Sequence, residues 1–280
     1  MSLRSEIPLN MQNMRILSSA RILIVALVCT LGAISLTVAC TSRYSRPVEK
    51  ANLPAPKYRV AEFSPPGITD PPDYRDLLTK VESERETLAL KYDQATSETE
   101  KDRIVTQARE AVIRSLYTEI FPHWYGTAWD FNGTTEVPGQ GKIACGYFVS
   151  TVLRDAGWRV QRARLAQQAS ENIILSLTGE PYIKRFRRVA IRDFVKTVKE
   201  WGPGVYVVGL DIHIGFIVNS GDEVYFVHAS YVEPFAVVKE NALESKILQA
   251  SKYRVLGKIT ADDEFIEKWL LRKEIITRIV

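Results

Sequence analysis

Three side chains in this sequence have the types and spacing for acyl-transfer chemistry: Cys145, His213 and His228. Cys145 opens the run 144–157, in which Phe148, Val149, Val152, Leu153 and Ala156 recur at helical spacing and Gly157 supplies the stop. Unpaired amides and the macrodipole at such a helix start favour an anion, so the sequence predicts a thiol that ionises below the usual value of about 8.5. The histidines are three, His123, His213 and His228. Two of them flank a predicted hairpin, His213 at the start of the run 212–218 and His228 at the end of the run 223–227, with Asn219-Ser220-Gly221-Asp222 as the turn. Antiparallel pairing through that turn lays strand start beside strand end and brings the two imidazoles together. A thiol at a helix terminus, an imidazole to take its proton and a third polar group to orient the imidazole have the general form of an activated thiol nucleophile. Taken singly, each also has a plain structural reading, as an inert buried thiol or a histidine serving as a strand residue.

The elements that must position these groups are readable around them. Residues 74–121 are charged and helical, and predict an antiparallel pair over 74–95 and 98–120, with a capping box at Ser97 to Glu100 and Pro122 ending the run. Residues 123–143, rich in glycine and aromatics, read as a loop. Beyond the cysteine helix, helical patterns over 163–177 and 191–200 lie in a stretch, 159–200, that reads as an insertion, with a basic solvated face around Lys184-Arg185-Phe186-Arg187-Arg188. The period then becomes extended, with strands over 205–208, 212–218, 223–227, 235–238 and 253–259, before a helical tail over 263–280. Helices first and a mostly antiparallel sheet afterwards is an α+β order.

The N-terminal part reads as an export signal. Arg15 and Arg21 precede an apolar run over 22–39, which is the form of a secretory signal peptide, with an uncleaved anchor as the alternative. Thr37-Val38-Ala39-Cys40 resembles the lipobox of bacterial lipoproteins, with Leu36 one place early, and the resemblance implies that Cys40 carries lipid. Seven of the thirteen prolines fall between Thr41 and Pro72, so 40–73 reads as a semi-rigid tether. Of the three cysteines, Cys29 then leaves with the signal and Cys40 is lipidated, which leaves Cys145 as the one free thiol. The whole chain carries a net charge of +4, of which +2 belongs to 1–39, so nothing favours nucleic acid as a partner. Three histidines and one free cysteine make a poor zinc set, and no cofactor is expected.

The motifs Cys145-Gly146-Tyr147 with its helix, His213-Ile214-Gly215-Phe216-Ile217 and Phe226-Val227-His228-Ala229-Ser230 resemble, in order, those of the NlpC family of papain-like cell-wall cysteine peptidases. Gly126-Thr127-Ala128-Trp129-Asp130-Phe131-Asn132-Gly133-Thr134 is similar to that family's entry loop. The likeness covers about 126–259 and implies a papain-like catalytic domain over 122–262. It implies Cys145 as nucleophile, His213 as general base and then acid, and His228 as the residue orienting His213, with the Cys145 amide in the oxyanion hole. Trp129 stands where the family commonly has an oxyanion tyrosine, and Asp130 and Tyr147 join it as candidate substrate-binding or oxyanion groups. The family's Asp-Cys-Ser-Gly is here Ala144-Cys145-Gly146-Tyr147, which changes the groups around the sulfur. The implied protein is a lipid-anchored hydrolase of the bacterial cell envelope acting on peptidoglycan stem peptides. Deamidation, cleavage of ordinary proteins, acyl transfer and non-catalytic cell-wall binding are the alternatives.

Overall fold

The computed structural model describes residues 74–279, so the signal segment, Cys40 and the tether lie outside the described residues. The described part opens with two helices, α1 (Tyr74–Gln94) and α2 (Glu98–Arg114), packed on each other across a short connection. Ser97 caps α2 by accepting the Glu100 N–H at 3.2 Å, and the Glu100 carboxylate reaches back to the Thr96 N–H at 3.3 Å. The helical run does not stop at Pro122. A π-turn over Ser115–Ile120 leads into a short helical turn, Phe121–Trp124, which has Pro122 as its second residue.

Helix α3 (Cys145–Asp155) is the central one, with Phe148, Val149, Val152 and Leu153 fully buried. The helix predicted over 163–177 is two pieces, Arg162–Ala166 and α4 (Ser170–Leu177). They pack on different partners, the first on α3 and the second on the sheet, and the chain turns at Ala169 to change partners. The basic segment that reads as an insertion is a strand, β1 (Ile183–Arg187), followed by helix α5 (Ile191–Trp201). Strands β2 (Gly204–Leu210), β3 (Ile214–Asn219), β4 (Val224–Ala229), β5 (Val237–Asn241) and β6 (Tyr253–Gly257) complete one sheet in the order β1-β6-β2-β3-β4-β5, antiparallel throughout.

Both faces of that sheet are covered. Val205, Val207, Ile214, Phe216 and Val227 join α1 to α4 in one core, while Tyr206, Val208, Ile217, Phe226 and Leu256 face Phe194, Val195 and Val198 of α5. Every position of β2 and of β3 is therefore buried, which is why these strands read as continuous apolar runs without alternation. Edge strand β1 keeps its cations occupied: Arg185 pairs with Glu171 and Glu180, and Lys184 lies over the Trp201 ring. A charged edge of this kind discourages pairing with another chain.

Helix α6 (Asp263–Leu270) is capped by Asp262 and docks on α1 and α2, with Phe265 stacked on Trp158 at 4.6 Å. The expected helical tail ends at Leu270, because Glu274–Ile275 pairs in parallel with Arg159–Val160. Among the described residues no helix is long and apolar enough to cross a membrane.

Candidate active site

The hairpin of β3 and β4 sets the histidines. Phe216 pairs with Val227 and Asn219 with Val224. Continued, that register places His228 opposite Gly215 and His213 diagonally beyond it on the same face. His213 lies one residue before β3, its carbonyl accepting the Leu210 N–H at 2.8 Å. His213 Nε2 and His228 Nδ1 are 2.9 Å apart, with the rings edge-on. The side chains meet because Gly215 lies between them without a Cβ, which would come within 2.7 Å of His228 Cβ and of Phe226 Cε2. His228 is fully buried, stacks on Phe226 at 4.0 Å, and presents Nε2 to Glu240 Oε1 at 3.1 Å.

Cys145 reaches the same end of the sheet from the other side, at the start of α3. The amides of Ile214, Gly146 and Cys145 are directed at its sulfur. Cys145 and His213 line one cavity of about 280 Å³, with Gln168, Ser170 and Asp211 as its other polar side chains. Among the described residues no hydrogen bond joins the sulfur to His213, and the hydrogen bond of the His213 ring is that of Nε2 with His228. The juxtaposition of the two histidines follows the sequence-based expectation, and the cysteine shares their cavity.

No family model, curated protein or solved structure matches this chain.

The remaining candidates lie at varying distances from the cavity. Trp129 does not line it, but sits 6.4 Å from Tyr231, whose ring stands edge-on to His213 at 5.1 Å. Asp130 is occupied in a turn, accepting the Asn132 N–H at 2.9 Å and pairing with Lys142 at 3.2 Å. Tyr147 follows Cys145 by two residues, about 200° around the helix, and so points elsewhere. Its ring lies under the Arg162 guanidinium and its hydroxyl accepts from Gln167. Neither Asp130 nor Tyr147 lines the Cys145 cavity. His123 is remote from the cavity as well, its Nδ1 against the Glu119 carbonyl. Glu240 and Tyr231 were not foreseen. Glu240 falls just past the strand predicted over 235–238, and carrying that strand's alternation two residues further is the signal that places a carboxylate on the face of His228. Tyr231 lies in the loop after β4, where no period locates it.

The charge state departs from the expectation of an ionised thiol. Burial pushes the Cys145 thiol up, outweighing the three amides that pull it down. Burial, and then His228, hold His213 well below the ordinary imidazole value. His228 is also lowered by burial, opposed by the Glu240 carboxylate. At neutral pH the resting site is thus a neutral thiol beside two neutral imidazoles. No group of three or more His, Cys, Asp or Glu side chains among the described residues is arranged to hold a metal ion.

One consequence concerns stability. As pH falls through about 6.5 the unfolded chain protonates both imidazoles before the folded chain does, so the unfolded state binds more protons there and stability falls as pH falls. Urea titrations at about pH 7 and about pH 5 should show a lower midpoint at the acid value, and a smaller drop in His213→Asn. An equal drop in that variant contradicts the assignment of a buried neutral His213.

Proposed function

We propose that the chain is a cysteine hydrolase of the NlpC type, cleaving amide bonds in peptidoglycan stem peptides on a papain-like fold. The observation that supports this most strongly is the 2.9 Å contact between His213 Nε2 and His228 Nδ1, which leaves His213 Nδ1 unpartnered in a ring lining the Cys145 cavity. That is the geometry of a base held by a third residue, with its working nitrogen free for the nucleophile. The motif order of the sequence supports the choice of family, and the Cys40 motif supports a lipid anchor in the bacterial envelope.

The cycle begins from the neutral pair. As the sulfur attacks the substrate carbonyl carbon, His213 Nδ1 takes the thiol proton and a C–S bond forms. The carbonyl oxygen becomes an oxyanion, which the amide at the start of α3 stabilises most at the tetrahedral stage. His213 then gives its proton to the amide nitrogen, the C–N bond breaks, and the amine leaves a thioester on Cys145. Water gives a proton to His213 as it attacks the thioester, and the collapse of that second intermediate returns the proton to sulfur and frees the acid. His228 holds the orientation of the His213 ring throughout.

Incubating the protein with purified murein and a defined stem peptide, with mass analysis of the products, tests this. The expected result is a pair of fragments that together gain one water. Loss of ammonia without chain cleavage identifies a deamidase, transfer of an acyl group to an added amine identifies a transferase, and retention of peptide without any product identifies a binding module. Each of these three outcomes contradicts the peptidase reading.

A further inference from the structure

We propose that Glu240 is a positioning residue of this site, holding His228 in the tautomer that leaves His213 Nδ1 bare toward Cys145. The inference rests on the thiol-imidazole reading above. It follows from proton bookkeeping along one row of atoms. Glu240 Oε1 lies 3.1 Å from His228 Nε2, and a carboxylate oxygen only accepts, so the proton of neutral His228 is on Nε2. His228 Nδ1 is then an acceptor, and at 2.9 Å it takes the Nε2–H of His213. A neutral imidazole with its proton on Nε2 has a lone pair on Nδ1, the nitrogen that the bond to His228 leaves free in the ring that lines the Cys145 cavity. His228 is fully buried and His213 only 3 % exposed, so bulk water offers little competition for these bonds.

The reverse arrangement is blocked at the Glu240 end. Moving the His228 proton to Nδ1 turns a bare nitrogen toward a carboxylate and turns His213 Nδ1 into an N–H, which is no base for a thiol. Glu240 is fit for this duty because it stays ionised: the bonds from His228 and from the Ser245 hydroxyl lower its carboxyl, against the effect of its own burial. When His213 takes the thiol proton, the same carboxylate faces the positive charge through His228. The strand register builds the row, since β4 and β5 pair His228 with Val238 and Phe226 with Glu240, so that His228 and Glu240 are diagonal neighbours on one face.

The test uses the full chain, with nitrogen-15 NMR of the histidine rings and acetylation of Cys145 by p-nitrophenyl acetate as the probe reaction. In the parent, His213 and His228 should each carry the proton on Nε2 alone. In Glu240→Met, which keeps the length and loses the acceptor, His213 should become a mixture of tautomers and acetylation should slow by about 10²-fold. A parent spectrum with the proton on His213 Nδ1 overturns the proposal, as does a Glu240→Met spectrum that keeps the single Nε2–H form. If Glu240→Met does not fold, the parent spectrum alone decides. The ring spectra are read without substrate, so a failure of the peptidoglycan reading leaves this result standing, and a failure here leaves that reading to its own products.

Discussion

Cys145→Ala is expected to fold as the parent does and to lose stem-peptide hydrolysis by about 10⁴-fold or more. Removing a nucleophile abolishes the covalent route outright, since the remaining groups act only through it. The fold is spared because Cys145 is at the first turn of α3 and only partly buried, whereas the anchoring side chains Phe148, Val149, Val152 and Leu153 are untouched. Trimming one sulfur at such a position costs about 1 kcal/mol or less. Activity and circular dichroism measured on the same preparation check both halves. Residual hydrolysis within tenfold of the parent rejects Cys145 as the nucleophile.

Gly215→Ala is expected to disturb the paired histidines through a single added methyl. The added carbon comes within 2.7 Å of His228 Cβ and of Phe226 Cε2, and within 2.9 Å of the Val227 carbonyl, all of them in the packed sheet. The contact with backbone cannot be relieved by a rotamer change, so β3 and β4 must part or His228 must shift. Overpacking of this kind costs about 1–3 kcal/mol. A displacement of about 1 Å between catalytic groups costs about 10² in rate. A fall in melting temperature together with about a hundredfold slower Cys145 acetylation is therefore expected, measurable by calorimetry and by the ester probe. Parent-like stability in Gly215→Ala contradicts the register that places His228 opposite it.

The parts of this site that were legible in the sequence are those set by local pattern. The cysteine helix declares itself by five apolar residues at helical spacing, and the hairpin by two apolar runs around Asn219 to Asp222. The hairpin by itself determines that His213 and His228 meet. Strand β1 was not legible because Lys184, Arg185 and Arg187 mask its alternation, and only the structure supplies the carboxylates and rings that occupy them. Glu240 was hidden by an end effect, the predicted strand closing at 238 while β5 runs to Asn241. The charge on Cys145 departs from the sequence-based expectation for a different reason. A helix terminus can be read from sequence and argues for a thiolate, but burial is a property of the whole packing and argues more strongly for the thiol. The break at 167–169 belongs to the same class, since a helical pattern carries no information about a change of packing partner.

The neutral resting pair also bears on where activity falls off in acid. With His213 held well below the ordinary imidazole value, the base stays unprotonated at pH values where an exposed histidine is already charged.

The most direct test of a thiol served by an imidazole is intact-mass detection of the acetyl group transferred from p-nitrophenyl acetate near neutral pH, in the parent, Cys145→Ala and His213→Ala. The expected result is a single acetyl group on Cys145 in the parent, none in Cys145→Ala, and formation about 10²-fold slower in His213→Ala. Acetylation of Cys145 at the parent rate in His213→Ala contradicts the pairing of that sulfur with that ring, and with it the case for an enzyme.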